Sequence, residues 1–167
     1  MSVLIRPAKD SDGYQLIRLI ENVFFEYPGC VMDVDGEIPE LRHIQTEFAK
    51  KDGEFWVAER ERRIIGCIGY TPLPKRARTP RGIELKKLYV ERCERGSGIA
   101  GKLVTLVEDA ARAHDASFIE LWSDTRFLPA HRFYEKRGYE RGEETRELFD
   151  QSDTVEYYFK KQLPGVG

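Results

Sequence analysis

Two stretches of the chain place apolar residues on one side of a helix. The first follows Asp10 and Ser11, either of which can cap a helix, and the second follows a glycine-rich turn that ends at Gly98. The first set is Leu16, Leu19, Ile20, Val23 and Phe24, and the second is Ile99, Leu103, Leu106, Val107 and Ala110. Because residues at these spacings share one face of a helix, both stretches are predicted to be amphipathic helices.

Shorter apolar and alternating runs predict the strands. Phe55 to Glu59 and Ile64 to Tyr70, joined by a polar turn, are typical of a hairpin. Further strands are expected within Val3 to Ala8, Leu85 to Val90, Ser117 to Asp124, Tyr139 to Phe149 and Val155 to Lys160. Pro39 suits the start of a helix that buries Leu41, Ile44 and Phe48, and Pro129 suits the start of a short helix that stops at Gly138.

The order of these elements predicts the fold class. A strand, two helices, three strands, a helix, a strand, a helix and two strands favour an α/β domain with a mixed, largely antiparallel sheet and helices on both faces. The unit from Leu85 to Asp124 is expected to contribute a parallel, right-handed strand pair. With 167 residues, of which 41% are hydrophobic, the chain fits one domain over residues 3–164.

Charge and cysteine content exclude several classes of function. The net charge of -2 gives no general attraction to nucleic acid or to an anionic membrane. The three cysteines are widely spaced and predict neither a disulfide framework nor a zinc site, so no metal is expected. The apolar runs fall short of the roughly 20 residues that span a bilayer, and residues 1–12 lack the apolar core of a signal peptide. We therefore expect a cytoplasmic protein.

The connection between Val90 and the second amphipathic helix has the features of an anion site. A strand that feeds a glycine-rich turn and then a helix leaves backbone N–H groups unpaired at the positive end of the helix dipole. Gly96 and Gly98 have no Cβ, so phosphate oxygens can approach the main chain, and Arg95 adds a charged donor. The spacing fits neither a Walker loop nor a dinucleotide fingerprint.

The same turn matches the pattern Arg/Gln-x-x-Gly-x-Gly/Ala through Arg95, Gly98 and Ala100. Together with the Leu88 to Val90 strand and the Ala130 to Tyr139 segment, it resembles the GNAT family of N-acetyltransferases. The resemblance implies a six- or seven-stranded sheet with about four helices and a splayed central strand pair for acetyl-CoA. The implied cofactor-binding residues are Leu88, Tyr89, Val90, Arg95, Gly96, Ser97, Gly98, Ile99, Ala100 and Gly101.

Acetyl transfer to an amine needs a base for the ammonium and an acid for the departing thiolate. The resemblance implies that Tyr134 is the acid, and Glu84 is the leading candidate for the base. Glu120, Asp124 or water alone are alternatives, and Glu84 could instead pair at the surface with Lys86 or Lys87. His131 is expected to face solvent. Many family members carry Asn where this chain has Phe127, and Ser123, Asp124 and Thr125 supply polar groups that can substitute for it.

The acceptor is expected to be a primary amine of a small molecule or peptide, attacked directly in a ternary complex. Asp33, Asp35, Glu37 and Glu40 form either a solvated acidic loop or an attraction for a cationic amine, whereas the basic loop from Lys75 to Arg81 could suit a carboxylate. Nucleic acid and membrane are not expected as partners, and a homodimer is possible. The alternatives are a CoA-ester-binding sensor, and a toxin-like enzyme acting on aminoacyl-tRNA, which the near-neutral charge disfavours.

Overall fold

The computed structural model describes residues 2–164 of the chain. A seven-stranded sheet runs in the order β1-β2-β3-β4-β5-β7-β6, and only β4 and β5 pair in parallel. The strands are β1 (Leu4–Pro7), β2 (Glu54–Arg60), β3 (Arg63–Pro72), β4 (Gly82–Val90), β5 (Phe118–Asp124), β6 (Glu140–Glu147) and β7 (Val155–Gln162). The helices are α1 (Gly13–Phe24), α2 (Val34–Glu37), α3 (Ile44–Ala49), α4 (Ile99–Ala113) and α5 (Leu128–Lys136). The predicted fold is confirmed, and the fifth helix is the single turn of α2.

Two hydrophobic cores cover the two faces of the sheet. On one face α1, α3 and the 3-10 turn Pro39–His43 before α3 bury Leu16, Ile20, Leu41, Ile44 and Phe48 against Phe55, Val57, Ile64 and Cys67. On the other face α4 and α5 bury Leu103, Val104, Val107 and Tyr134 against Ile68, Leu85, Ile119, Leu121 and Phe159. Because helices cover β3 on both faces, residues 64–71 of that strand are buried without alternation.

The buried face of α4 differs slightly from the predicted one. Leu103 and Val107 are fully buried as expected, but Val104 and Ala111 are buried where Leu106 and Ala110 were predicted. The helix is therefore rotated toward Val104, and this rotation brings Glu108 into the interior at 5% exposure. Sequence spacing alone did not predict a buried carboxylate on this face.

The central strands β4 and β5 separate soon after they meet. They pair only from Gly82 to Glu84 against Phe118 to Glu120. Beyond these residues β4 continues to pair with β3, and β5 continues to pair with β7. The splayed strand pair that the sequence predicted is therefore present.

A β-bulge in β4 accompanies the separation. Gly69 pairs with Lys86 and Cys67 pairs with Tyr89, so β4 carries one more residue than β3 over this interval. Lys87, inside the bulge, has a positive φ of 55°. Because a bulge bends its own strand and increases the local twist, it provides a physical reason for β4 to turn away from β5.

Within residues 2–164, no helix has both the length and the apolar character needed to cross a bilayer.

Candidate active site

A cavity of about 1110 Å³ opens where β4 and β5 separate. Glu84, Leu88 and Tyr89 of β4 line one side, the end of β5 lines the other, and Tyr134 of α5 closes the base. Ligand pockets typically measure about 300 to 1,000 Å³, so this cavity has room for part of a large cofactor together with a second substrate. Four of the residues predicted from sequence thus lie around one space.

The glycine turn lies beyond the carboxyl end of β4, outside the lining of that cavity. Gly96 and Gly98 have φ values of 85° and 87°, and Gly98 is the N-cap of α4. A Cβ placed on either glycine meets no atom within 4 Å, so the backbone of the turn borders open space. The first N–H groups of the 15-residue helix α4 therefore lie at a turn that borders open space, an arrangement that favours an anion.

Arg95 and Ser97 make contacts within the protein in this structure. The guanidinium of Arg95 pairs with both oxygens of Glu26, at 2.6 and 2.7 Å, and its Nε donates to the carbonyl of Val90 at 3.1 Å. The hydroxyl of Ser97 donates to the carbonyl of Glu94. Arg95 stands at the turn as predicted, but a phosphate must compete with Glu26 for its two terminal nitrogens.

The first turn of α4 combines a buried side chain with two small residues. Ile99 is 4% exposed and anchors the turn in the core, whereas Ala100 and Gly101 are only partly buried. A Cβ on Gly101 would come within 3.3 Å of a guanidinium nitrogen of Arg137. The small side chains of Ala100 and Gly101 therefore leave space for a ligand to approach the N-terminus of α4.

The backbone from Leu88 to Val90 has no strand partner on its β5 side. β5 pairs with β4 only as far as Glu84, and the bulge at Lys87 also interrupts pairing with β3 just before Leu88. This stretch can therefore form hydrogen bonds with an extended ligand that enters between the two strands.

Tyr134 lies in the wall of the cavity and packs against the core. It is 5% exposed, and its ring contacts those of Tyr139 and Phe159 at centroid distances of 5.8 and 5.7 Å. Burial raises the pKa of its phenol above the ordinary value. The hydroxyl therefore remains protonated at neutral pH and is available as a donor.

Glu84 differs from the other two carboxylates proposed as the base. Asp124 accepts a two-point ion pair from Arg126, and Glu120 accepts a hydrogen bond from the Tyr158 hydroxyl at 2.7 Å. Glu84 lines the cavity and, among the described residues, receives no hydrogen bond or ion pair. Burial raises the pKa of the Glu84 carboxyl above its usual range. Such a group is the better proton acceptor of the three.

The surface ion pair considered for Glu84 does not form. Lys87 pairs with Glu40 at 2.7 Å, and Lys86 lines the cavity without an ion pair to any described residue. The sequence could not distinguish these two lysines, because the partner of Lys87 is Glu40, a residue far away in the chain.

Comparison with known proteins agrees with this geometry. The acetyltransferase (GNAT) family model matches residues 13–139, which include β4, the glycine turn and α5. The chain belongs to the GNAT family. The predicted recognition is confirmed, and the prediction of an N-acetyltransferase of class EC 2.3.1.- agrees with the family and with the names of the matched relatives.

The curated relatives share part or most of this GNAT chain. Human N-acetyltransferase 8 is 32% identical over 103 residues, which cover 61% of this chain and 45% of the relative. The uncharacterized N-acetyltransferase YjgM of Escherichia coli is 27% identical over 141 residues, or 83% of each chain. The chain thus spans less than half the length of the N-acetyltransferase 8 relative.

Solved structures confirm the GNAT fold at lower identity. A GNAT acetyltransferase from Staphylococcus aureus Mu50 superposes with a TM-score of 0.81 at 23% identity, covering 98% of this chain and 100% of the other. PaiA N-acetyltransferase from Thermoplasma acidophilum, solved in complex with coenzyme A, gives a TM-score of 0.73 at 18% identity with the same coverage. At these identities the likeness establishes the fold.

The prediction for His131 in this GNAT protein was wrong, because the side chain is buried at 2% exposure instead of facing solvent. Its Nε2 lies 3.1 Å from the Ser123 hydroxyl and 3.0 Å from the carbonyl of Asp124. Since a carbonyl oxygen only accepts, Nε2 carries the proton, and burial lowers the pKa of the ring so that it stays neutral. His131 therefore fixes the β5 wall of the cavity.

The acidic cluster is used within the protein. Asp33 and Glu37 accept hydrogen bonds from Gln151, one from its side chain and one from its backbone, both at 2.8 Å. The Val31 amide donates to the Ser152 hydroxyl at 2.7 Å in the same contact. These bonds tie residues 30–40 to the loop between β6 and β7 and close one side of the cavity. In contrast, the basic loop of residues 74–81 is exposed to solvent.

Phe127 replaces the asparagine of many GNAT members with an aromatic contact. Its ring lies 4.7 Å from that of Tyr27 and 6.4 Å from that of Phe24, measured between centroids. Ser123 and Asp124, which the sequence offered as polar substitutes, are already bonded to His131 and Arg126. This part of the cavity wall is therefore apolar.

Proposed function

We propose that this protein transfers the acetyl group of acetyl-CoA to a primary amine of a small molecule or peptide, by direct attack in a ternary complex. One observation carries the proposal: Glu84 and Tyr134 line the same cavity, at the point where the β4 backbone loses its partner. A candidate base, a candidate acid and the β4 backbone edge at Leu88 and Tyr89, which has no strand partner on its β5 side, thus line one space. Such a set suits acyl transfer.

The chain offers a continuous path for acetyl-CoA, which supplies an activated thioester when bound. The amides of residues 96–101 and Arg95 are suited to the pyrophosphate, because the turn borders open space at a helix N-terminus. The free backbone of Leu88 to Val90 is suited to the pantetheine arm and to polarising the thioester carbonyl. Burial of Ile99 and the small side chains of Ala100 and Gly101 hold this approach in shape.

Glu84 takes a proton from the acceptor amine, directly or through a water molecule. A primary ammonium with a pKa of about 10 is only about one part in a thousand free base at pH 7. A carboxylate in water is a weak base for this task, but burial raises the pKa of Glu84 and so strengthens its affinity for the proton.

Tyr134 donates a proton to the departing sulfur. Its phenol is protonated throughout the neutral range because burial raises its pKa. The same burial disfavours a bare thiolate, so the phenol and the sulfur remain similar in basicity and the proton transfer needs little driving force.

Direct attack agrees with the state of the cysteines. Cys67 is fully buried, and burial raises the pKa of its thiol to about 12. Cys30 lines the cavity, yet burial also raises the pKa of its thiol. Because the thiolate is the nucleophile, neither thiol is activated for a covalent acetyl-enzyme.

The cytoplasmic location and the homodimer stay predictions from the sequence.

The test measures thiol release from acetyl-CoA with a panel of amino acids, polyamines, aminoglycosides and short peptides. Tyr134→Phe is compared with Tyr139→Phe, a neighbouring buried tyrosine whose hydroxyl bonds Glu108 instead of facing the cavity. We expect amine-dependent release that falls at least about 100-fold in Tyr134→Phe and is retained in Tyr139→Phe. Binding of acetyl-CoA without release for any amine would favour a CoA-ester sensor.

A further inference from the structure

Some charged side chains that line the cavity have no ion pair or hydrogen bond within residues 2–164. Most have a partner within the protein. The ion pairs are Glu40 with Lys87, Glu47 with Lys50, Asp124 with Arg126, and Glu156 with Arg146. Three more carboxylates accept hydrogen bonds from neutral groups: Asp33 from Gly36 and Gln151, Glu37 from Gln151, and Asp150 from Thr154. Across residues 2–164, Glu84, Lys86 and Lys51 line the cavity with no hydrogen bond or ion pair. One carboxylate and two ammonium groups of the cavity are therefore left without a bonded partner.

Glu84 and Lys86 lie close to one another on one face of the sheet, and Lys51 lines the same cavity. Glu84 and Lys86 are alternate residues of β4, and Glu84 stands opposite Thr71 of β3. Alternate residues of a strand point to the same face about 6.6 Å apart. Burial lowers the pKa of Lys86; Glu84 opposes this shift, and the charge of Lys51, from the turn before β2, adds to it.

An unpaired, half-buried ammonium is unfavourable, and a second ammonium beside it makes it more so. An anion bound between Lys86 and Lys51 would relieve both effects. The phosphates of acetyl-CoA are not suitable, because the glycine turn follows the carboxyl end of β4, whereas Lys86 precedes the bulge. The buried Thr71 residue lines the cavity next to Glu84 and supplies a hydroxyl for an oxyanion.

We propose that the acceptor is a zwitterion of the α-amino acid class, with its ammonium at Glu84 and its carboxylate between Lys86 and Lys51. This inference rests on the proposed function, because it assigns Glu84 to the reacting amine. A peptide N-terminus has a neutral amide where a free amino acid has its carboxylate. A peptide bound at this site would leave Lys86 without a counter-ion, so a peptide is the disfavoured acceptor.

The experiment measures binding by calorimetry, in the presence of CoA, for the standard L-amino acids and for their carboxamides. Each carboxamide keeps the amine and the side chain and replaces the carboxylate by a neutral amide. We expect at least one amino acid to bind about 10- to 100-fold more tightly than its carboxamide, the loss that follows from removing one charged hydrogen-bonded pair. Equal affinities, tighter binding of the carboxamides or no amino acid binding would each overturn the proposal.

Two substitutions assign the effect to the lysines. Lys86→Met keeps the length of the side chain without its charge, and Lys51→Gln removes the second ammonium. Lys75→Gln is the matched control, since it makes the same change in net charge on an exposed loop outside the cavity. We expect the preference for carboxylate to disappear in Lys86→Met, to shrink in Lys51→Gln and to persist in Lys75→Gln. Full preference in Lys86→Met would refute the assignment.

The binding readout separates this inference from the proposed function. If amino acids bind with the expected carboxylate preference and thiol release is absent, the transferase proposal fails and the zwitterion site stands. If thiol release occurs only with amines that lack a carboxylate, the transferase proposal stands and the zwitterion site is wrong.

Discussion

Replacing Gly98 by alanine tests the glycine turn as a phosphate site. Gly98 has a φ of 87° at the N-cap of α4, and an added Cβ meets no protein atom within 4 Å. The substitution therefore introduces backbone strain without a steric clash. For an L-residue in this conformation the strain is about 1 to 2 kcal/mol. In a chain of 167 residues, that lowers Tm by roughly 2 to 8 °C.

Gly138→Ala provides a matched control for the strain. Gly138 has a φ of 91° after α5, and its added Cβ meets only the Lys161 Cε at 3.7 Å, an ordinary contact. Both variants should thus lose similar stability. Only Gly98→Ala places a methyl group where the phosphate is expected. Losing one charge-assisted backbone hydrogen bond, about 1.5 to 3 kcal/mol, weakens binding about 10- to 100-fold.

Scanning fluorimetry gives the two Tm values, and calorimetry gives the two dissociation constants for acetyl-CoA. The reasoning predicts equal loss of Tm and a dissociation constant that rises in Gly98→Ala alone. If Gly98→Ala binds acetyl-CoA as tightly as Gly138→Ala, the turn does not approach the phosphates and the site assignment is refuted.

Three further substitutions give distinct outcomes. Glu84→Gln should raise Tm at pH 7.5, because a carboxyl whose pKa is raised in the folded state destabilises the protein when it ionises as pH rises. The gain in Tm should vanish below about pH 4.5, where the carboxyl is protonated in the folded and unfolded states alike. A gain that persists there would contradict the raised pKa. Glu108→Ala should lower the free energy of unfolding by about 3 kcal/mol in urea at pH 7, since it leaves Arg137 and Lys161 without their buried partner. This difference should shrink only in acid, as Glu108, whose pKa is lowered in the folded protein, becomes protonated. A loss under about 1 kcal/mol would contradict the stabilising role of the ion pairs. Arg95→Gln should weaken acetyl-CoA binding, whereas a Glu26→Gln variant, which removes the competing carboxylate, should bind at least as tightly as wild type; weaker binding in both would exclude exchange between Glu26 and phosphate.

Local patterns were sufficient to predict much of the fold. The spacing of Leu16 to Val23 predicted α1, and the strand, glycine turn and helix around Gly98 predicted α4 and carried part of the family resemblance that implied the splayed strand pair. Each of these depends on residues close in sequence, where hydrophobic period and glycine conformation carry the signal. The hairpin of β2 and β3 followed in the same way.

The features that the sequence did not reveal depend on distant residues. Glu108 is buried because Arg137 and Lys161, from two later elements, neutralise it there. His131 is buried because the end of β5 supplies its hydrogen-bond acceptor. Exposed and buried polar residues look alike in sequence until their partners are known.

The bulge at Lys87 had the largest consequence for the site. Lys87, at the bulge, pairs with Glu40, whereas Lys86, which lines the same cavity, has no ion pair to a described residue. The residue types around the bulge are ordinary for a strand, and its position is set by pairing with β3. The charge balance of the cavity could therefore be read only from the structure.

The most direct test of the central claim counts products. The wild-type protein is incubated with acetyl-CoA and the amine that gives the fastest thiol release, and mass spectrometry measures the N-acetylated amine beside the free CoA. The account predicts one acetylated amine for each CoA released, and loss of both products together in Glu84→Gln at neutral pH. CoA released without acetylated amine would show hydrolysis instead of transfer, and would contradict the account.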